Sequence, residues 1–285
     1  VLLLRFQIGL TYIFAGLAKL NADWLLAAQP LKLWLRRFDD WFLIGPLFRY
    51  DEIAYLMSWS GCLFDLSIPF LMLHRTSRPI AFLLALGFHS ATSVFFNIGI
   101  FPLVMLASIT LFLSPRWPEA FGNRSVNMLS PKAKPARAGW MVLASFYCLV
   151  QCLVPLRQWL YPGQTTWTEE GYRFSWNVMR IEKTGMVDYI IRDPVNGEEW
   201  RVFPRESLTP LQYKMLSTQP DLIQSYAHHL ADIYAAQWGR RPEVRAESWA
   251  ALNGRRSQRF VNPKVDLAAT ARSTAPKTWV LPLLD

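Results

Sequence analysis

PIAFLLALGFHSATSVFFNIGIFPLVMLASITLFL, residues 79–113, is the stretch on which the fold turns. It carries one ionisable side chain, His89, and one break, Asn97-Ile98-Gly99. A hydrocarbon core about 30 Å thick is crossed by roughly 20 apolar residues at 1.5 Å rise each, so this run is too long for one crossing. An Asn-x-Gly step between two apolar runs punctuates a helix, and the stretch therefore reads as a tight helical hairpin, 79–96 followed by a short 99–113. Working outward, runs of similar character occupy 1–20, 53–73 and 138–156. The expectation is a helical integral membrane domain of about five segments over 1–156. With 52% hydrophobic and 14% aromatic residues in 285, the chain is too apolar for one ordinary soluble domain, and most of that content precedes residue 157. The chain opens on Val1 inside an apolar run, with no Met, charged leader or small-residue cleavage site, so 1–20 reads as a membrane segment and not as a signal peptide. The expectation is the C-terminal part of a longer protein with further membrane segments upstream.

Charge gives an orientation. The 74–78 connection carries Arg75 and Arg78, and the 114–137 connection carries Arg116, Arg124, Lys132, Lys134 and Arg137 against Glu119. Lys and Arg concentrate in cytoplasmic connections, which puts both of these inside and places 21–52 and residues 157–285 outside. The formal charge of +9 is largely accounted for by these connections, which excludes nucleic acid as the expected partner and leaves the lipid bilayer. Cys62, Cys148 and Cys152 all lie in apolar segments, so no disulfide framework is expected in the outer part. The sequon Asn123-Arg124-Ser125 falls in an inner connection, where it would not be glycosylated.

Residues 157–285 change character, with mixed charge and no long apolar run. Residues 187–203 read as a β-hairpin about Asp193-Pro194-Val195-Asn196-Gly197, two helices follow at about 208–216 and 219–238, and the rest reads as short strands and loops. This is a mixed α+β extracytoplasmic domain. His228 and His229 are adjacent and face different sides of a helix, so no metal site is expected there.

Ionisable groups inside a membrane segment are costly and each needs a reason. Arg5 lies about 20 Å and Asp65 about 18 Å from the outer ends of their segments, and they are expected to form a structural ion pair between two helices. Lys19 has two open readings: an anchor that snorkels to the surface beside Trp24, or an amine desolvated among Ala15, Gly16 and apolar neighbours and so able to take a proton. His89, about 10 Å deep, has Ser90, Thr92 and Ser93 near it in sequence, which either satisfy a buried imidazole or leave it to act in catalysis. Free backbone groups at Asn97 to Gly99 are tolerated at membrane depth where protein or a water-filled cavity meets them, which favours a pocket there.

Three stretches resemble the vitamin K-dependent γ-carboxylase family and its bacterial relatives with the HTTM membrane domain. They are Ala15-Gly16-x-x-Lys19-Leu20-x-Ala22-Asp23-Trp24; Phe88-His89-x-x-x-Ser93-x-x-Phe96-x-Ile98-Gly99-x-Phe101-Pro102-x-Val104-Met105-Leu106-Ala107-Ser108 with Ser114-Pro115-x-Trp117-Pro118; and Trp167-Thr168-x-x-x-Tyr172-x-Phe174-Ser175-Trp176 with Met179. Weaker matches are Asp65-Leu66-Ser67, Asn262-Pro263-x-Val265-Asp266 and Trp279-Val280-x-Pro282-Leu283-Leu284. The resemblance implies a membrane enzyme that deprotonates reduced vitamin K, or a menaquinol, and lets it react with O2 to a strong oxygen base. That base takes a γ-proton from a glutamate of a protein substrate, and CO2 adds to the carbanion. It implies Lys19 as the base that begins the sequence, with His89 beside it as a catalytic residue, and Tyr172, Phe174, Trp176 and Asn97 as cofactor-binding residues; no metal is implied. Where relatives often carry histidines, this chain has Gln158 and Arg180, a departure that bears on peptide carboxylation more than on quinol binding. Quinol epoxidation without carboxylation and a non-catalytic membrane scaffold or lipid-binding protein are the alternatives. The expected location is a bacterial plasma membrane.

Overall fold

The computed structural model describes residues 1–96, 98–114, 117 and 138–284. Asn97, the basic residues Arg116, Arg124, Lys132, Lys134 and Arg137, and the Asn123 sequon lie outside the described residues. The chain falls into two compact units: Val1–Leu156 with Ser175–Val178, and Arg157–Phe174 with Met179–Asp285.

In the first unit the elements are α1 (Leu2–Lys19), α2 (Ala22–Leu25), α3 (Leu31–Leu35), α4 (Asp51–Leu73), α5 (Arg78–Phe95), α6 (Phe101–Ile109) and α7 (Ala138–Leu153). Among the described residues, four helical stretches are long and apolar enough to cross a membrane: Leu2–Lys19, Asp51–Leu73, Arg78–Phe95 and Ala138–Leu160. The fifth expected segment is a shorter apolar helix, Phe101–Phe112. At 1.5 Å per residue it reaches about 18 Å, little more than half of a hydrocarbon core.

Polar side chains at the helix ends explain why these helices stop where they do. A helix leaves its last carbonyls and first N–H groups without intrahelical partners. Asn21 serves two ends at once: its amide nitrogen donates to Ala18 O at 2.9 Å, and its side-chain oxygen accepts from Trp24 N at 3.0 Å, capping α2. Arg78 donates to Met72 O at 2.9 Å and Leu73 O at 3.1 Å, covering the end of α4. Asp51 and Glu52 sit in the first turn of α4, where carboxylates complement the helix dipole. α1, α4, α5 and α6 share a core of Tyr12, Ile68, Met72, Ala81, Ala85, Met105 and Ile109. α7 meets α1 through polar contacts, Tyr147 Oη to Gln7 at 2.8 Å and Gln7 to Gln151 at 3.4 Å, the kind of hydrogen bond that joins helices where lipid removes the hydrophobic drive.

The second unit holds α8 (Thr165–Thr168), β1 (Lys183–Arg192), β2 (Glu199–Val202), α9 (Pro210–Thr218), α10 (Pro220–Trp238), β3 (Glu243–Leu252) and β4 (Gln258–Arg259). Its antiparallel sheet has the order β2-β1-β3-β4. The expected hairpin is present, with Arg192 opposite Glu199 across the Asp193 to Gly197 turn, and both expected helices follow it. The tail departs from expectation. β3 is a ten-residue strand that pairs with β1 along its full length, Lys183 opposite Leu252 through Arg192 opposite Glu243. Its inward positions are Val244, Ala246, Ser248, Ala250 and Leu252. Small residues at three of the five remove the β-branched signal by which a strand is read from sequence. Ile223, Ala227, Leu230 and Ala231 of α10 cover the core that β1 and β3 present.

Candidate functional site

Lys19 ends α1, and a helical side chain leans toward the N-terminus of its own helix. Its ammonium therefore turns back into the bundle and pairs with Asp65 Oδ2 of α4. Both are buried, at 6% and 3% exposure, which decides against the surface-anchor reading of Lys19. The expected Arg5–Asp65 pair is thus corrected. Arg5 Nε instead donates to Leu111 O at 2.7 Å and its guanidinium lies 5.8 Å from the centre of the Phe112 ring. The physical reason is that α6 and the short 3-10 turn Thr110–Phe112 stop inside the apolar layer, and a cation satisfies the carbonyls freed at a helix C-terminus.

Trp24 closes the pair from above. Its ring centre is 5.4 Å from Lys19 Nζ, its Nε1 donates to Ser58 O at 2.8 Å, and Ser58 Oγ donates back to Trp24 O. Below the pair, Pro69 has no N–H to give the carbonyl of Asp65 four residues earlier, so α4 lacks a rung at that carboxylate's own peptide. Seven residues before Lys19, on the same face of α1, Tyr12 Oη meets His89 Nε2 at 2.6 Å. Sequence pointed to Ser90, Thr92 and Ser93 as partners of His89. Thr92 and Ser93 instead bond backbone carbonyls, His89 O at 3.0 Å and Ser90 O at 2.9 Å. Tyr12 was missed, although its spacing of seven from Lys19 was there to be read. Phe64, stacked on Phe88 at 4.0 Å, and the edge of Tyr12 wall this side with rings.

Of the other expected site residues, Trp176 lies in Ser175–Val178, which belongs to the first unit, while Tyr172 and Phe174 belong to the second. Phe174 is 78% exposed. Glu169, Phe174, Trp176 and Met179 all have positive φ, +58°, +60°, +54° and +51°, a left-handed conformation that costs a bulky L-residue on the order of 1 kcal/mol and concentrates at functional segments. The strap leading to them is pinned inside the second unit. Lys183 donates to Trp167 O at 2.6 Å and to Glu169 at 3.2 Å, and Trp167 Nε1 donates to Leu281 O at 2.7 Å. Burial pushes the Lys183 amine down to about 8, and burial followed by the Glu169 carboxylate pushes the Tyr172 phenol up to about 12. Tyr172 is therefore a neutral phenol at physiological pH. Among the described residues no group of three or more His, Cys, Asp or Glu stands together as a metal site.

A bundle with helices of membrane-spanning length and a buried Lys–Asp pair, followed by an antiparallel α+β unit, defines an integral membrane protein with a polar domain appended. Residues 1–117 match the family model of the HTTM domain, and residues 136–285 match that of the vitamin K-dependent gamma-carboxylase, lumenal domain. The chain belongs to the vitamin K-dependent γ-carboxylase family. No solved structure matches it.

Proposed function

We propose that the chain is a membrane carboxylase coupling oxygenation of reduced vitamin K, or of a menaquinol, to γ-carboxylation of glutamate in a protein, with Lys19 as its first base. The observation that carries this reading is the Lys19–Asp65 pair buried beneath Trp24. The surroundings suit a flat, apolar quinol in kind: the rings of Trp24, Phe64 and Phe88 offer faces for it, and Lys19 offers the one polar function it needs. A quinol held there supplies the oxidisable ring whose reaction with O2 drives removal of a glutamyl γ-proton, and CO2 adds to the carbon left behind.

The residues of this chain do the proton handling. Burial strips both partners of the water that would otherwise hold two charges, so the proton between Nζ and Oδ2 can pass to Asp65. That leaves Nζ neutral and accepting from the Asp65 acid; turned from that bond, its electron pair can take the proton of an acidic quinol hydroxyl. Once Nζ has accepted its proton, the dyad holds one more than before, an ammonium beside a carboxylic acid. Asp65 is thus a positioning and proton-holding residue for Lys19. Tyr12 plays the corresponding part for His89, holding Nε2 at 2.6 Å: with the ring proton on Nδ1 the hydroxyl donates, and with it on Nε2 the hydroxyl accepts. The resemblance also marks Tyr172, Phe174, Trp176 and Asn97 as quinol-binding residues.

Gln158 and Arg180 favour a second reading, quinol oxygenation without carboxylation, since both stand where relatives often have histidine. In either case residues 157–285 face outward, in keeping with the basic 74–78 connection and with the matched family model being that of a lumenal domain. Epoxide formation by membranes carrying the full-length protein, given reduced vitamin K and O2, tests the proposal. Epoxide is expected from the unaltered chain and none from Lys19→Ala; undiminished epoxide from a folded Lys19→Ala would sink the role given to Lys19.

A further inference from the structure

The connection between α1 and α4 contains a rigid turn that the chemistry above does not use. Trp41, Phe42, Leu43 and Ile44 lie between two 3-10 turns, Arg36–Phe38 and Gly45–Arg49. Phe42 is 95% and Leu43 81% exposed. The turn is firmly held from behind. Gly45 N donates to Trp41 O at 2.9 Å, and a Cβ on Gly45 would come within 2.6 Å of Asp39 O, so the chain doubles back too closely for a larger residue. Phe38 and Trp41 each pack on Phe95 at 5.7 Å between ring centres, Phe48 does so at 5.4 Å, and Arg49 pairs with Asp39 at 3.5 Å.

The packing also gives the turn a depth. Phe64 of α4 stacks on Phe88 of the antiparallel α5. Seven residues further along α5, Phe95 is level with about Met57, some 9 Å from the start of α4 at 1.5 Å per residue. That start is ringed by charge, with Lys32 and Arg36 both on Asp51 at 3.0 and 3.4 Å. The anchored turn thus lies between a charged rim and the apolar length of the helices, level with the exposed Leu56 and Trp59 of α4. Consecutive exposed apolar side chains with an indole at their edge suit the boundary between headgroups and acyl chains, where such groups bury about 5–10 Å deep.

We infer that residues 41–44 form an interfacial wedge whose occupant is the lipid of the leaflet on the side where α4 begins. Lipid is favoured over a second protein because the wedge continues, at the same depth, the apolar strip that α4 turns to the bilayer.

The test places an environment-sensitive thiol dye at Phe42→Cys in the full chain bearing Cys62→Ala, Cys148→Ser and Cys152→Ser, reconstituted in phosphatidylcholine vesicles. Leu43→Cys repeats the measurement at a neighbouring site, and Val195→Cys, at an exposed turn of the second unit, is the water reference. The expected result is blue-shifted emission at 42 and 43, quenched by lipid with a doxyl group near the headgroup and spared by iodide. Quenching by iodide alone, as at 195, would show the turn in water and overturn the inference; emission spared by both quenchers would show a protein surface over it and overturn it equally.

Discussion

Lys19 ends the first apolar run, and counting from that end placed it at the surface. The structure shows why the count misled: Lys19 pairs with Asp65, well inside α4 and not near its Asp51 end, so the end of α1 lies within the bundle. The ionisable residues of the membrane segments were therefore legible one by one, while their partners were not, because pairing depends on helix overhang and side-chain direction. Removing one member of a buried pair strands the other, at a cost of about 3–5 kcal/mol, whereas replacing both with apolar residues can be neutral. Asp65→Asn and Lys19→Ala are accordingly expected to lower the thermal midpoint of the purified protein, and Lys19→Met with Asp65→Leu to recover most of it while forming no epoxide. A double variant that regained epoxide formation would show the pair to be structural only. In the second unit, Arg240 beside Asp193 holds that carboxyl below the ordinary carboxylate range. Its stabilising contribution is complete above the ordinary value near 4 and fades as pH falls through the lower folded value. The thermal midpoint of the unaltered chain should then drop more steeply on acidification below about pH 4 than that of Asp193→Asn.

Elements were more legible than their contacts. The long apolar helices, the β1–β2 hairpin and the α9–α10 pair followed from periodicity and turn residues, since each of those signals is local. β3 was hidden because its inward alanines and serine fill a space set by helices elsewhere in the chain. The shortness of α6 was visible, but the use of Arg5 to finish it was not. The crossing of α1 and α4 depends on Gly16, where a Cβ would fall 2.7 Å from two side-chain carbons of Leu66 and 3.1 Å from its backbone nitrogen. Overpacking of this kind costs about 1–3 kcal/mol. Gly16→Ala should lower the thermal midpoint in detergent, and Gly16→Ala with Leu66→Ala should recover part of the loss; additive losses in the double variant would show that the two do not meet.

For the whole molecule, the chain falls into two compact units that part between Leu156 and Arg157, and the return of Ser175–Val178 to the first unit had no sequence signal, because four residues carry no periodicity of their own. The proposed orientation has a direct check. A membrane-impermeant thiol reagent added outside intact cells should label Val195→Cys and spare Arg75→Cys, and opened membranes should allow both to react; the reverse pattern would invert the topology. The buried dyad also determines how the protein experiences an energised membrane. A transmembrane voltage acts on a full charge crossing the whole bilayer by about 2.3 kcal/mol per 100 mV. The Lys19–Asp65 pair has no net charge, and a proton passing between its atoms moves about 1 Å in roughly 30 Å, so 100 mV changes that step by about 0.1 kcal/mol. Proton exchange within the dyad therefore runs at nearly the same rate in a polarised cell and in one whose ion gradients have collapsed.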